Sequence, residues 1–124
     1  MARAEQSRAG LVKKLRMRGF SAAEAAQALD RLAEEGMVDD LRFAGLWVNA
    51  RLRHKPASPR NLRAALRSRG IDRKTAEEAV KTALEDAGEA RLLQRYIEFY
   101  GEAPRARLCA EGFSAAALEA LPTG

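Results

Sequence analysis

The pentapeptide Gly-Phe-Ser-Ala-Ala occupies residues 19–23 and occurs again at residues 112–116, and a looser copy, Gly70-Ile71-Asp72, lies between them. Gly19 and Gly70 are 51 residues apart, and Gly70 and Gly112 are 42 apart. Periods of this length are typical of small helical units that stack in a row, because none of them can bury its apolar face alone. The repeat therefore predicts tandem units with function on an extended surface.

The residues around each copy predict three helices per unit. A first helix runs from about Glu5 to Arg18 and ends at Gly19. Ser21 and Glu24 have the spacing of a capping box, which starts the second helix. Asp39 or Asp40 caps a third helix, which ends before His54-Lys55-Pro56 because a proline disfavours helical geometry in the residue before it. The apolar face predicted for this third helix comprises Phe43, Leu46, Trp47, Ala50 and Leu52.

The second unit repeats this plan, and the third is shorter. In the second unit, Ser58-Pro59 starts the first helix, Gly70 ends that helix, and Asp72 caps the next one. The predicted units cover residues 1–55, 56–101 and 102–124, and the last is truncated because it has no room for a third helix. No stretch alternates apolar and polar residues as a strand would. The sequence thus predicts an all-α chain of tandem three-helix, helix-turn-helix-like repeats in an elongated, curved array.

The amino-acid composition also favours an all-α fold, and it indicates the kind of partner that the chain binds. Hydrophobic residues make up 47% of the 124 residues but aromatic ones only 6%, so leucine and alanine must form most of the core. The formal net charge of +5 favours polyanions or acidic surfaces as partners. No apolar run reaches the roughly 18 residues of a membrane span, so we expect a cytoplasmic protein without membrane contact.

Residues suited to catalysis are scarce. The chain has one histidine, His54, and one cysteine, Cys109, and it lacks a glycine-rich loop for nucleotide phosphates. We therefore expect no enzyme activity, no metal and no cofactor. We expect Cys109 to be a small buried apolar residue, and we expect Trp47, Tyr96 and Tyr100 to serve packing first.

Positive charge is concentrated in the segment from Arg51 to Arg73, where Asp72 is the only acid. Arg60, Arg63 and Arg67 have the i, i+3, i+7 spacing that places them on one face of a helix, opposite the apolar one. Guanidinium groups in such a row suit phosphates or carboxylates. The first helix carries a second basic set. The residues predicted to bind a partner or nucleic acid are Arg51, Arg53, Lys55, Arg60, Arg63, Arg67, Arg69 and Arg73, together with Lys13, Lys14 and Arg16.

Three motifs in this order resemble the RecX family of regulators of the RecA recombinase. They are the junction Leu62-x-x-x-Leu66-Arg67-x-Arg69-Gly70-Ile71, the helix start Asp39-Asp40-x-x-Phe43-Ala44 with Trp47 and Arg51 after it, and the ending Glu111-Gly112-Phe113-Ser114. The resemblance spans residue 7 to about residue 121. This chain departs from the family in residues 55–59, at Ala65 and at Glu111, where the family has arginine.

The resemblance implies a monomeric protein that lies in the helical groove of a RecA–DNA filament. Such a protein contacts successive protomers, inhibits recombinase activity and filament growth during DNA repair, and binds free DNA weakly. Two other functions remain open from the residues alone. One is an independent helix-turn-helix-type DNA-binding protein, and the other is a helical adaptor that does not use nucleic acid.

Overall fold

Serine and aspartate side chains mark the helix starts in the computed structural model, which describes residues 7–36 and 38–121. The hydroxyl of Ser21 accepts from the Glu24 amide at 3.1 Å, and the Glu24 carboxylate accepts from the Ser21 amide at 2.9 Å, which confirms the capping box. Asp39, Ser58 and Asp72 also cap helices as predicted. Ser7 caps the first helix. Residues 5 and 6, where this helix was predicted to begin, lie outside the described residues.

The described residues form eight helices and no strand, which confirms the predicted all-α fold. Their bounds are α1 (Arg8–Met17), α2 (Ala22–Glu34), α3 (Asp40–His54), α4 (Pro59–Ser68), α5 (Arg73–Ala87), α6 (Glu89–Tyr100), α7 (Arg105–Ala110) and α8 (Ala115–Glu119). None of the helices described is long and apolar enough to cross a membrane.

The most extensive helix pair, α3 with α5, packs through small side chains. Ala44 and Val48 of α3 are fully buried, and α5 contributes Ala76, Ala79 and Val80. Small residues let two helix axes approach closely. The apolar face predicted for the third helix left out Ala44 and Val48, and Leu46 is 45% exposed where a core residue was expected. The prediction favoured large apolar side chains, whereas small side chains form the contact between α3 and α5.

One hydrophobic core continues from α3 to α8, and α1 and α2 lie outside it. The core runs from Ala44 to Leu118, and Phe113 is the largest of its fully buried side chains. Of the apolar residues described in α1 and α2, only Ala25 and Leu29 are fully buried. The other apolar residues of α1 are half-buried, apart from Met17, which is 78% exposed. Packing therefore crosses the predicted limits at residues 55 and 101, and the division into units at those limits remains a prediction.

The glycine turns join successive parts of the chain. The turn between α4 and α5 contacts the start of α1, where a Cβ on Gly70 would overlap the methyl group of Ala9. The turn between α7 and α8 contacts the start of α4 in the same way, since a Cβ on Gly112 would lie 3.1 Å from the Pro59 Cβ and 3.2 Å from the Arg60 amide nitrogen. Both glycines have positive φ, 88° and 99°. A side chain at either position would be strained and would also meet its neighbour.

Polar bonds reinforce the second of these contacts. The Arg60 amide donates to the Glu111 carbonyl at 2.9 Å, and the Ser58 hydroxyl donates to the Glu111 carboxylate at 2.8 Å. Ser58 is fully buried, so its hydroxyl requires a partner. Glu111, one of the positions that depart from the family pattern, therefore ties the turn between α7 and α8 to the start of α4.

Candidate partner-binding surface

Five of the exposed basic residues between Arg51 and Arg73 make no side-chain hydrogen bond or ion pair with the described residues. They lie at the end of α3, in the loop that follows, and at the ends of α4 and the start of α5; these residues are Arg53, Lys55, Arg60, Arg67 and Arg73. Between described residues the structure contains one ion pair, Arg8 with Asp30 at 2.7 Å, and it lies in the α1–α2 pair. The five exposed cations thus keep their charge available to a partner.

The charge of Arg67 acts on one acid within the segment. The pKa of Asp72 lies below its ordinary value, first because its carboxylate accepts the Thr75 amide at 2.8 Å and then because it accepts the Thr75 hydroxyl. Arg67 lowers the same pKa further through its charge. Asp72 therefore caps α5 as a carboxylate, and its negative charge offsets part of the positive charge of Arg67.

Two of the predicted binding residues are used inside the molecule. Arg51 donates to the Lys55 carbonyl at 2.7 Å, where it holds the end of α3. Arg69 donates to the Ala65 carbonyl at 3.2 Å, and its guanidinium lies 4.6 Å from the centre of the Trp47 ring. A cation over an indole face stabilises both groups. Trp47 is half-buried and packs against the core, as predicted, and the Arg69 guanidinium lies over its ring.

Arg63 differs in burial from Arg60 and Arg67, the other two residues of the predicted stripe on α4. It is half-buried and lines a groove with Glu77, Glu85 and Glu89, and its Nη2 would be 2.9 Å from a Cβ at Gly112. The helical spacing correctly placed Arg60, Arg63 and Arg67 on α4. It could not show that the turn at Gly112 covers the middle of that helix.

The second basic set, Lys13, Lys14 and Arg16, is exposed on α1. The contact of Ala9 with the turn at Gly70 brings this helix beside the end of α4.

The prediction that Cys109 is buried was wrong, because its side chain is exposed on α7. Sequence reasoning also missed the exposed rings of Phe99 and Tyr100, which it assigned to packing or left aside.

Known proteins that are similar to the chain identify its family. The family model described as RecX, second three-helix domain, matches residues 39–80, which hold α3, α4 and half of α5. A regulatory protein RecX of Chromohalobacter salexigens is 35% identical over 119 residues, which cover 93% of this chain and 76% of that protein. The chain belongs to the RecX family.

Other RecX proteins extend the comparison. A regulatory protein RecX of Mycobacterium sp. (strain JLS) is 41% identical over 81 residues, and this chain spans only 42% of its length in the match. A crystal structure of regulatory protein RecX has a TM-score of 0.62 at 22% identity, and it covers 93% of this chain and 62% of that one. The likeness shows a shared helical fold. All five exposed cations lie within the matched second domain of RecX.

Proposed function

We propose that the chain binds in the groove of a RecA–DNA filament and inhibits the recombinase, lowering its ATP hydrolysis, strand exchange and filament growth. The observation that carries this proposal is the set of exposed cations Arg53, Lys55, Arg60, Arg67 and Arg73, which form no ion pair with the described residues and lie in the segment that matches the second three-helix domain of RecX. Tandem units present such a set along an extended surface, and a long groove beside a polyanion suits it.

The acidic exposed side of α5 argues against an independent helix-turn-helix DNA-binding protein. In that motif the second helix enters the major groove and its outer side chains reach the bases. Here the second helix of the α4–α5 pair is basic only at its start, and farther along it exposes Glu77, Glu78 and Glu85, which duplex phosphates would repel. Its other side is buried against α3. In this proposal the chain approaches nucleic acid with α4, the loop before it and the start of α5.

Co-sedimentation with RecA assembled on single-stranded DNA tests the proposal, with DNA alone as the reference. We expect the chain to sediment with filaments and to lower their rate of ATP hydrolysis. Replacing Arg53, Arg67 and Arg73 by alanine should weaken filament binding about tenfold, because each exposed charge pair contributes ~0.2–1 kcal/mol. Helicity should be retained, since the three side chains are exposed and alanine is a good helix former.

A matched variant controls for net charge. Arg31, Lys81 and Arg91 are also exposed, and their replacement by alanine removes the same three charges outside this set. This variant should bind filaments within about threefold of the unmodified chain. Equal losses in the two variants would show that only net charge matters. Unchanged ATP hydrolysis at saturating chain would contradict the inhibitory function itself.

A further inference from the structure

The glycine turns show that successive parts of the chain are joined in one recurring way. The turn at Gly70 contacts Ala9, and the turn at Gly112 contacts Arg60, which lies 51 residues after Ala9. The two junctions are therefore built alike. A Cβ at Gly19, the first of the three turns, would meet no atom of the described residues within 4 Å. The α1–α2 pair thus has the same turn without a neighbour on it.

The later turns are each covered by a helix that carries an aromatic ring. α3 packs against α5, and the Arg69 guanidinium at the turn lies 4.6 Å from the centre of the Trp47 ring. α6 packs against α8, and the Tyr96 ring centre is 5.3 Å from that of Phe113. We call α3 and α6 the covering helices, because each one packs on the helix pair that follows it.

The two covering helices share a pattern of three residues. These residues are Ala44, Trp47 and Val48 in α3, and Leu93, Tyr96 and Ile97 in α6. The i, i+3, i+4 spacing places each set on one face of its helix. All six side chains are buried or half-buried. Among the described residues, both helices of this type are already packed, on α5 and on α8.

Two positions on α2 differ in burial from their counterparts on α5. Ala28 and Leu32 lie 51 residues before Ala79 and Ala83. Ala79 and Ala83 are buried and line a crevice with Leu41 of α3. Ala28 is exposed, and Leu32 is half-buried. The area that α3 covers on α5 is therefore uncovered on α2.

The ring of Phe20 extends this uncovered area to the first glycine turn. Phe20 is 45% exposed, while Ile71 and Phe113, at the matching positions of the later turns, are 1% and 2% exposed. A single exposed apolar residue is common on proteins, but these three positions are uncovered for one reason, the absence of a covering helix. We call Phe20, Ala28 and Leu32 the open face.

Positive charge borders the open face at the turn. α1 contains no acidic residue, and Arg18, which follows it, lines a groove with Leu15 and Met17. Arg18 lies 51 residues before Arg69, the residue over the ring of Trp47. An aromatic ring on an incoming helix would meet Arg18 in the same way. Acidic side chains beside that ring would be attracted by the cations of α1.

The acids of α2 do not cancel this charge at the turn. Glu24 is bonded within its own capping box, and Asp30 pairs with Arg8 at 2.7 Å. Glu34 and Glu35 lie where α2 ends, at the opposite end of the helix from the glycine turn. Charge complementarity at the turn therefore favours an acidic partner.

We infer that the open face binds an amphipathic helix of another protein. That helix has apolar residues at i and i+4 and an aromatic residue at i+3, as the covering helices do, and it has acidic residues beside the aromatic one. Its binding repeats between two molecules the junction that the chain already makes twice within itself. The open face needs neither RecA nor DNA, and the inference therefore goes beyond the proposed function.

Two peptides with the sequence of residues 39–55 test the open face. The Glu peptide carries Arg51→Glu and His54→Glu, and the Lys peptide carries Arg51→Lys and His54→Lys, because these positions follow Trp47 along one side of the helix. A lactam bridge between positions 42 and 46, which are exposed in α3, keeps both peptides helical, since isolated helices of this length are marginal in water. Fluorescence anisotropy measures their binding to the unmodified chain.

The Glu peptide should bind at least about fivefold more tightly than the Lys peptide, and added salt should reduce the difference by screening the charges. NMR should locate the peptide on the chain. Amide chemical shifts should change at Phe20, Ala28 and Leu32, and they should stay constant at Ile71 and Phe113, which α3 and α6 already cover.

Two alanine-to-glutamine variants form a matched pair. Ala28→Gln puts a larger polar side chain on the open face and should weaken binding of the Glu peptide at least about fivefold. Ala23→Gln changes an exposed alanine on another side of α2, since five residues turn a helix by about 140°, and should bind within about twofold of the unmodified chain. Both positions are exposed and glutamine is a good helix former, so thermal melts should be unchanged.

Three results would overturn the inference. Equal binding of the Glu peptide by Ala28→Gln and the unmodified chain would place the peptide elsewhere. Shift changes at Ile71 would mean that the peptide displaces α3. Self-association in sedimentation equilibrium that Ala28→Gln abolishes would make a second copy of the chain the occupant. Peptide binding without filament binding would uphold the open face and contradict only the proposed function, whereas filament binding without peptide binding would contradict only the open face.

Discussion

Residues 19–21 and 112–114 have the same sequence, Gly-Phe-Ser, and nearly the same backbone, yet their phenylalanines differ completely in burial. The glycines have φ of 97° and 99°, and the serines have φ of −70° and −74°. Phe20 is nevertheless 45% exposed and Phe113 only 2%. Local sequence therefore determines the shape of the turn, and position in the array determines whether its ring enters a core.

The two turns also differ in what surrounds them. A Cβ at Gly19 would meet nothing within 4 Å, whereas one at Gly112 would meet the start of α4. The Ser21 amide is bonded by Glu24 in its own helix, but the Ser114 amide is bonded by Glu89 of α6 at 2.6 Å. The first turn is closed on itself, and the last is integrated with the rest of the molecule.

The largest expected difference is in how much the rings of Phe113 and Phe20 contribute to stability. Phe113→Ala should destabilise the chain by ~3–5 kcal/mol, since it removes a fully buried aromatic ring and leaves a cavity. Phe20→Ala should cost about 0.5 kcal/mol or less, as expected of an exposed position. Urea unfolding followed by circular dichroism measures both. Similar midpoints for the two variants would mean that the last turn is not docked in solution.

A smaller difference should separate the two glycines. Gly19→Ala and Gly112→Ala carry the same backbone strain because their φ values agree within a few degrees. Only the second variant also crowds Pro59 and the Arg60 amide, which should add about 1 kcal/mol. The same unfolding experiment isolates this contact as the difference between the two losses. A difference near zero would place α7 and α8 away from α4.

The smallest effect concerns protonation at the first turn. The Ser21 amide and then the Ser21 hydroxyl lower the pKa of Glu24 from its ordinary value of 4.5. A lowered folded-state pKa means that the carboxylate stabilises the fold above the unfolded-state value, and that this contribution is lost as pH falls through the folded-state value. NMR titration should find the Glu24 pKa below 4.5. Ser21→Ala should raise it only in part, because this variant retains the backbone amide, which is the larger cause. A pKa at or above 4.5 in the unmodified chain would contradict the capping box.

Features that depend on neighbouring residues could be predicted from the sequence. Ser21, Ser58 and Asp72 cap their helices because a cap needs only the next turn of the same helix. Leu62 and Leu66 are buried as their helical spacing predicts. These local features were sufficient to predict eight helices and their order.

Features set by distant residues could not be predicted. The opposite burial of Phe20 and Phe113 depends on which unit lies beside each turn, and identical pentapeptides contain no such information. Arg63 has the spacing of an exposed residue, but the turn at Gly112 covers it from 49 positions away. Ala44 and Val48 are buried because α5 packs on their side of α3, and the spacing of the larger side chains of α3 does not show which side α5 covers.

The stacking of Arg69 on Trp47 makes the chain its own optical sensor. Trp47 is the only tryptophan, it belongs to α3, and the guanidinium 4.6 Å from its ring centre follows α4. Intrinsic fluorescence excited in the indole band therefore reports on one junction between two helices, without an attached dye. A partner that separates α4 from α3 would hydrate the indole and move its emission to longer wavelength, while a partner that leaves the junction closed would not.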